Sequence, residues 1–187
     1  MINQVRQELL EKYIYNLSPI KLGKVSVKNE YTSLSNANKI TNRIYLGNIN
    51  AAKDKEFFKT HKIKAVLNCT TDIPNYFKDD PTIEYMRIPV EDNLRESDFN
   101  KMSTYLPVMA EFIHKHADLE KHNIFIHCLA GKQRSPSGVA AYLIKYHNMP
   151  VKQACKFILE KRPEAFHFGT SLNFSKSILS YKEHLKK

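Results

Sequence analysis

The sequence has little of what marks fibrous, disordered and membrane-spanning proteins. It contains five glycines and eight prolines among 187 residues, and 42% of its residues are hydrophobic, which excludes collagen-like and low-complexity chains. Its longest apolar runs, 124–126 and 138–144, are much shorter than the roughly 18–20 residues that a membrane-spanning helix needs. Charged residues also interrupt the first fifteen positions, where a signal peptide would be apolar. We therefore expect one globular domain that is soluble and not exported.

Cysteine is also scarce, and its spacing fits neither a disulfide framework nor a zinc knuckle. Cys69, Cys128 and Cys155 are an odd number of cysteines, and their spacing is not that of metal ligands. Such usage favours a reducing compartment, so we expect a cytoplasmic protein. In that setting a lone cysteine can be chemically reactive.

The net charge of +10 is concentrated at the two ends of the chain. Residues 1–44 hold seven basic and three acidic side chains, residues 145–187 hold nine and three, and the residues between them hold thirteen of each. Such ends attract nucleic acid, an anionic membrane surface or phosphorylated protein, or they form a solvated lysine-rich surface. No aromatic-rich RNA-binding signature or helix-turn-helix pattern favours nucleic acid.

The chain divides into an N-terminal extension and a compact domain. Apolar residues in 2–17 recur at helical spacing, and the pattern ends before Pro19, which predicts an amphipathic helix. The residues that follow are rich in Ser, Asn and Lys and predict a linker. We therefore place a helix and linker at 1–39 and a folded domain at 40–187.

Within the domain, predicted strands and helices alternate. The strands are predicted at 43–46, 63–68, 83–90 and 123–127, and the helices at 51–61, 99–116, 136–146, 151–161 and 171–185. This alternation predicts an α/β fold with a central, mostly parallel sheet and helices on both faces. The N-terminal helix is an addition to that architecture.

The segment that follows the last predicted strand carries the clearest chemical pattern. In open α/β sheets, ligand sites lie beyond the carboxyl ends of the strands. Five residues separate Cys128 from Arg134, enough for the backbone to turn its N–H groups inward around an anion, and Gly131 permits the turn. Ser135 is a natural N-cap and Pro136 a natural first helical residue, so the loop leads into a helix whose N-terminus attracts anions.

The same surroundings predict a reactive thiol at Cys128. Thiols near helix N-termini or cations have lowered pKa values, so Cys128 should be a thiolate at neutral pH. Arg134 offers a planar fork that holds two phosphoryl oxygens at once. Together they predict a nucleophile aimed at bound phosphate. The alternative, a buried cysteine at a strand end, leaves the Gly, Arg and Ser at these offsets unexplained.

The run His127-Cys128-Leu129-Ala130-Gly131-Lys132-Gln133-Arg134-Ser135 resembles the signature of the cysteine-dependent protein phosphatases, in particular the compact dual-specificity group. The resemblance extends over about residues 40–185. Residues 42–48 resemble the opening strand of that family, 64–68 its second strand, 88–93 its acid loop, and 135–144 the helix after the signature.

The resemblance implies a mechanism and a role for each site residue. Cys128 would attack phosphorus to give a cysteinyl-phosphate, while Arg134 and the backbone of the loop bind the phosphoryl oxygens. Asp92 matches the acid of the family, with Glu91 and Asp98 as rivals, and no metal or cofactor is required. Ser135 would assist the departing thiolate and His127 would help to hold it. The phosphate-binding residues are Leu129, Ala130, Gly131, Lys132, Gln133 and Arg134.

The substrate class stays open at this point. The tyrosine-restricted branch of the family has a larger domain with a deep recognition loop, and this chain is too short to contain one. Its short length therefore favours a substrate range that includes phosphorylated Tyr, Ser and Thr in proteins. Two residues of the loop leave an inositol lipid as an alternative substrate. Phosphoinositide phosphatases also have a lysine at the position of Lys132, and Gln133 stands where protein-directed members of the family more usually have Ser or Gly. RNA 5′-phosphatases typically have Thr-His where this chain has Leu129-Ala130. A catalytically silent phosphate-binding module is the non-enzymatic alternative, although the Cys, the Arg and the acid are all present.

Two secondary expectations come from the resemblance. Some members of the family protect an oxidised nucleophile with a second cysteine, and Cys69, at the end of the strand at 63–68, is a candidate partner for Cys128; otherwise it is a buried strand residue. Viral relatives carry an N-terminal extension and exchange it between protomers. We therefore expect a homodimer, with packing of the helix on its own domain as the alternative.

Overall fold

The computed structural model describes residues 35–93, 95–166 and 173–185. The amphipathic helix predicted for residues 2–17 and most of the linker lie outside these residues, so the division at residue 39 stays a prediction. The described residues from Asn36 onward belong to one compact unit.

The described chain forms five strands and six α-helices. They are β1 (Ala37–Lys39), β2 (Ile44–Gly47), α1 (Ile49–Ala52), α2 (Lys55–Thr60), β3 (Ile63–Asn68), β4 (Glu84–Arg87), α3 (Glu96–His114), β5 (Asn123–His127), α4 (Arg134–Tyr146), α5 (Val151–Lys161) and α6 (Asn173–His184). A π-helical turn, Lys115–Leu119, extends α3. Within the described ranges, no helix is both long and apolar enough to cross a bilayer.

The strands form a single sheet in the order β1-β2-β5-β3-β4. The pairs β2–β5, β5–β3 and β3–β4 are parallel, and β1 runs antiparallel to β2 at one edge. The predicted α/β fold with a mostly parallel sheet is therefore confirmed. Parallel strands place their carboxyl ends at one edge, so the segments after β2, β3 and β5 converge there.

Alternating side chains of the sheet build two cores, as a period of two requires. Ile44 and Leu46 of β2 and Ile124 and Ile126 of β5 lie in the larger core with residues of α3 to α6. Alternate residues of the strands β2, β3 and β5 face the other side of the sheet and form the smaller core, which α1 and α2 cover. This second set includes Tyr45, Val66 and Phe125 together with Ala51, Ala52 and Phe58. Helices thus pack on both faces, as predicted.

The strand predicted at 83–90 is shorter in the structure, where β4 ends at Arg87. Two further local features differ from the sequence prediction. The single helix expected at 51–61 is two short helices, because Asp54 interrupts it and accepts hydrogen bonds from the backbone N–H groups of Glu56 and Phe57, which caps α2. Strand β1 lies where a linker was expected. Its three residues are too few to show alternation, and β1 forms by pairing along β2.

Candidate active site

Cys128 follows the last residue of β5, the central strand of the sheet. Its side chain is 2% exposed and belongs to the larger core, where β3 and α4 also contribute. The loop from Cys128 to Arg134 therefore lies at the carboxyl edge of the sheet, the position predicted from the sequence.

The loop is shaped by donors that hold its carbonyl groups from outside. Five consecutive carbonyl oxygens, those of residues 129–133, each accept a hydrogen bond from a group beyond the loop. The donors and distances are Ile49 N to Leu129 O (3.1 Å), Arg162 Nη2 to Ala130 O (3.2 Å), Arg162 Nε to Gly131 O (2.8 Å), Phe166 N to Lys132 O (2.7 Å), and Ser137 N and Oγ to Gln133 O (3.1 and 2.8 Å).

The N–H groups of the loop consequently face its interior. In a trans peptide the N–H points opposite to the preceding carbonyl, so turning the carbonyls of residues 129–133 outward turns the N–H groups of 130–134 inward. The Gly131 N–H is already hydrogen-bonded to Cys128 Sγ at 3.2 Å. A row of inward N–H groups is a concavity that binds anions.

Gly131 is required at the turn of this loop. Its φ is +67°, and a Cβ there would lie 2.5 Å from the carbonyl oxygen of Gly47 and 2.7 Å from Arg162 Nη2. Any other residue would combine an unfavourable backbone conformation with a clash. The sequence prediction that Gly131 permits the turn agrees with this geometry.

Arg162 is the residue that sequence reasoning missed. It is the C-cap residue directly after α5, is 1% exposed, and uses its guanidinium to bind two loop carbonyls and Asn38 Oδ1, the last at 2.6 Å from Nη1. Nothing in the local sequence distinguishes it from the other basic residues near the carboxyl end. Its importance depends on contacts between segments that are far apart in the chain.

The surroundings of Cys128 lower the pKa of its thiol. Burial alone would raise the pKa, but the Arg134 charge, a hydrogen bond from the Ser135 hydroxyl, and the backbone of Ser135 and Gln133 more than offset it. The distance from Ser135 Oγ to Cys128 Sγ is 3.3 Å. The thiolate predicted from the sequence is therefore supported by identified contacts.

Ser135 does not cap the following helix, contrary to the sequence prediction. Helix α4 begins at Arg134, its N-cap residue is Gln133, and Pro136 is the third helical residue rather than the first. The Ser135 hydroxyl is directed to the Cys128 sulfur instead of to the backbone.

Arg134 joins the loop to the segment that holds the acid. Its guanidinium is 7% exposed, donates from Nη1 to the Val90 carbonyl at 3.1 Å, and places Nε 3.5 Å from Asp92 Oδ2. Burial raises the pKa of Asp92 and Asp98 raises it further, while Arg134 opposes both effects. A carboxyl group with a raised pKa is suited to donate a proton.

The two rival acids are engaged elsewhere. Glu91 accepts a 2.6 Å hydrogen bond from Thr71 Oγ1. Asp98 is buried and accepts hydrogen bonds from the backbone N–H of Asn93 at 3.2 Å and from that of Arg95, the N-cap residue of α3, at 3.5 Å. Among the three carboxylates named from the sequence, the structure brings Asp92 next to Arg134.

His127 is neutral in its surroundings. Burial lowers its pKa to about 4, and the nearby charges of Arg87 and Arg134 act in the same direction, against a backbone hydrogen bond at Cys128. Its ring stacks on Phe125 with centroids 5.4 Å apart and an interplanar angle of 13°. Any help that His127 gives to the thiolate is therefore not the charge of an imidazolium.

The remaining loop side chains differ in their exposure, and Gln133 is buried. Leu129 is 55% exposed and Ala130 is exposed, while Lys132 is half-buried. Within the part of the chain that the structure describes, Lys132 forms no ion pair with a carboxylate. The loop therefore acts on an anion chiefly through its backbone and Arg134.

Cys69 lies beside Cys128 on the neighbouring strand. Asn68 of β3 pairs with His127 of β5, and the next backbone N–H, that of Cys69, donates to the His127 carbonyl at 2.8 Å. Both thiols are buried and free. Burial raises the pKa of Cys69 well above its usual value, and the charge of Cys128 adds to this effect.

Comparisons with known proteins agree with this geometry. Residues 44–184 match the family model described as dual specificity phosphatase, catalytic domain. The chain is 29% identical over 143 residues to dual specificity protein phosphatase Mpk3 of Drosophila melanogaster, which covers 76% of this chain and 33% of the fly protein. It is 32% identical over 131 residues to human dual specificity protein phosphatase 21, covering 70% of this chain and 65% of the human protein. The chain thus spans less than two thirds of either relative.

A similar fold occurs among solved structures. The crystal structure of human DUSP28 superposes with a TM-score of 0.67 and 19% sequence identity, covering 82% of this chain and 97% of that protein. At this level of identity the match supports the fold alone.

Selective alkylation of Cys128 tests the electrostatics of the loop. In the intact protein we expect iodoacetamide to modify Cys128 at a lower pH than a free thiol of pKa about 8.5. Cys155, whose pKa burial raises to about 12, should stay unmodified near neutral pH, and so should Cys69. Mass spectrometry of each cysteine-containing peptide across pH gives the three profiles.

The matched variants are Ser135→Ala and Ser97→Ala. Loss of the Ser135 hydroxyl removes a hydrogen bond to the thiolate, so the alkylation profile of Cys128 should move toward that of free cysteine. Ser97 is exposed in the first turn of α3, and its loss should leave the profile unchanged. Equal profiles for both variants would show that the hydroxyl does not stabilise the thiolate.

Proposed function

The chain belongs to the dual specificity phosphatase family, and we propose on this basis that it hydrolyses phosphate monoesters on protein tyrosine, serine and threonine through a cysteinyl-phosphate intermediate. The observation that carries the proposal is the loop geometry. Five outward carbonyls turn successive N–H groups toward a buried cysteine of lowered pKa, with the Arg134 guanidinium beside it. This arrangement suits a tetrahedral dianion and a sulfur nucleophile.

In the first step, the Cys128 thiolate attacks phosphorus and the bond from phosphorus to the ester oxygen breaks. The inward N–H groups and Arg134 stabilise the negative charge on the equatorial oxygens. Asp92, in its acid form, gives its proton to the leaving oxygen. The products are the dephosphorylated hydroxyl group and a cysteinyl-phosphate.

In the second step, the Asp92 carboxylate accepts a proton from a water molecule that attacks the cysteinyl-phosphate. The bond from sulfur to phosphorus breaks, inorganic phosphate leaves and the thiolate is restored. The Ser135 hydroxyl, 3.3 Å from Cys128 Sγ, stabilises that thiolate with a hydrogen bond. Neither step uses a metal ion or an organic cofactor.

Replacing Asp92 tests its role as the acid. With a phosphotyrosyl peptide, whose phenolate is a poor leaving group of pKa about 10, Asp92→Asn should lower kcat by about 10²–10⁴. The wild type should lose activity as pH rises through the raised pKa of Asp92, because the acid form is then depleted. The variant should lack this alkaline decline. Initial rates across pH measure both effects.

The control variant is Glu91→Gln, because Glu91 is the adjacent carboxylate but is bound by Thr71. It should retain most activity and the alkaline decline. An equal loss of kcat in Asp92→Asn and Glu91→Gln would show that Asp92 is not the general acid. Activity in Cys128→Ser equal to the wild type would overturn the cysteinyl-phosphate mechanism, and the absence of turnover in the wild type would favour a silent phosphate-binding module.

A comparison of substrates tests the proposed protein specificity. We expect phosphotyrosyl and phosphothreonyl peptides to be hydrolysed with kcat/KM at least tenfold above that for an inositol phospholipid in vesicles or a 5′-triphosphorylated RNA. The exposed Leu129 and Ala130 at the loop favour contact with peptide. Lys132, which forms no ion pair within the described residues, keeps the lipid as the main alternative, and faster phosphate release from the lipid would reverse the assignment.

We also propose a reversible disulfide between Cys69 and Cys128. Adjacent strands lie about 4.7–4.9 Å apart, which falls within the about 4.4–6.8 Å Cα separation of disulfides, and the two cysteines follow the paired residues Asn68 and His127. Peroxide would convert the Cys128 thiolate to a sulfenic acid and release hydroxide. Cys69, as a thiolate, would attack that sulfur and expel a second hydroxide. Oxidation removes the Cys128 charge that helps to keep Cys69 protonated.

Peptide mapping after peroxide treatment tests this disulfide. We expect a linked Cys69–Cys128 peptide and a return of at least half of the activity after reduction. Cys69→Ser should instead accumulate irreversibly oxidised Cys128 and lose recovery, while Cys155→Ser should behave as the wild type. Overoxidised Cys128 without the linked peptide in the wild type would refute the pairing.

The remaining proposals concern assembly and location. The apolar pattern of residues 2–17 supports a homodimer, which light scattering of the full chain and of a chain without residues 1–20 would test. The three free cysteines support a cytoplasmic location, which imaging of the tagged full chain would test.

A further inference from the structure

A group of metal-ligating side chains lies at the edge of the sheet opposite to Cys128. Among the residues that the structure describes, His116, Glu120 and His122 place one potential ligand atom each within 4.8 Å of one another. His116 lies in the π-helical turn after α3, and His122 directly precedes β5. Five residues of β5, roughly 16 Å of extended chain, separate this group from the loop at Cys128.

The contacts within the group leave His116 without a hydrogen bond. Its side chain is 1% exposed, and neither ring nitrogen has a hydrogen-bond partner among residues 35–93, 95–166 and 173–185. Nevertheless, Nδ1 lies 2.8 Å from Glu120 Oε2. No proton is aligned between this ring nitrogen and this carboxylate oxygen, although the two atoms are close. A cation bound to both atoms would stabilise this arrangement.

We propose that His116, Glu120 and His122 bind a zinc ion. The same oxygen, Glu120 Oε2, lies 3.1 Å from His122 Nδ1. Zinc bonds of about 2.0–2.2 Å to nitrogen and oxygen place the ligand atoms of a tetrahedral site about 3.3 Å apart. Small side-chain shifts therefore bring the three atoms to that spacing. Two imidazoles and one carboxylate favour zinc over magnesium or calcium, which prefer oxygen ligands.

Neighbouring residues support a cation at this position. Glu84, the first residue of β4, places Oε2 3.5 Å from His116 Nε2, the ring nitrogen that the metal would not use. Carboxylates in this position orient metal-bound histidines. Lys115 is 2.9 Å from Glu84 and 3.6 Å from Glu120, so one lysine faces two carboxylates. With neutral imidazoles, Lys115, Glu84 and Glu120 together carry a net charge of −1, which attracts a cation, although Arg43, which donates to the Lys121 carbonyl, adds a positive charge nearby.

The ion would connect the end of α3 to the start of β5. The backbone already closes this segment, since the His122 N–H donates to the His116 carbonyl at 2.8 Å. A metal that joins the π-helical turn to the residue before β5 would stabilise the strand that carries Cys128. Metal binding to the folded state alone raises stability. The role is structural, because the ligands are at the far end of the strand from the proposed chemistry.

Zinc titration of the full-length Cys128→Ser variant tests the proposal, because this background removes the thiolate as a competing ligand. We expect one zinc ion per chain by calorimetry and a melting temperature about 5–10 °C higher at a hundredfold excess over Kd. Magnesium should have no such effect. Absence of zinc binding, or binding of magnesium with equal affinity, would overturn the proposal.

Added substitutions locate the ion. In the same background, His122→Gln and Glu120→Gln should each weaken zinc binding at least tenfold, and Glu84→Gln about tenfold. These side chains are partly exposed, so the variants should fold. The control, His184→Gln, replaces an exposed histidine of α6 and should bind zinc as its parent does. Unchanged affinity in His122→Gln and Glu120→Gln would place the ion elsewhere and refute the site.

Discussion

The structure of the site depends on hydrogen bonds that hold the loop from behind. Each carbonyl from Leu129 to Gln133 accepts from a donor outside the loop, and Arg162 alone supplies two of these bonds. A free loop would point some of its carbonyls inward and repel an anion. Fixed outward carbonyls leave the inward face to N–H donors, which need no reorganisation when an anion binds. The arrangement is therefore formed before any ligand is present.

Arg162 can do this because three distant segments meet at its guanidinium. It comes from the end of α5, binds the loop after β5, and is itself held by Asn38 of β1. Burial lowers the pKa of Arg162, with the nearby charges of Glu164 and Cys128 opposing that effect. Strand β1, the short edge strand, thus has a role beyond completing the sheet. It carries the side chain that fixes the orientation of the arginine behind the loop.

The sequence predicted those parts of the fold and site that depend on local pattern. Strands β3 and β5 and helix α5 have the predicted bounds, because an apolar run or a helical period marks each of them. Cys128, Gly131 and Arg134 are predicted from their spacing together with the strand before them and the helix after them, since one loop contains all three. The parts not predicted depend on long-range contacts. Strand β1 forms only by pairing with β2, and Arg162 gains its role by reaching the loop. For Ser135, the helix cap predicted from the local pattern is wrong, whereas the contact with the Cys128 sulfur is the one that the family resemblance implies.

The chemistry needs a thiolate and a carboxylic acid at the same pH, although a free carboxyl group loses its proton long before a free thiol does. Arg134 favours the charged form of both groups, so its charge alone cannot produce this reversal.

The difference comes from what else each group contacts. Cys128 is buried but receives hydrogen bonds from Ser135 and from loop N–H groups, which together with Arg134 outweigh the burial. For Asp92, burial raises the pKa, and the charge of Asp98 adds to this effect against the opposing charge of Arg134. Hydrogen bonds to the sulfur and a second carboxylate near the acid thus help to move the two pKa values in opposite directions.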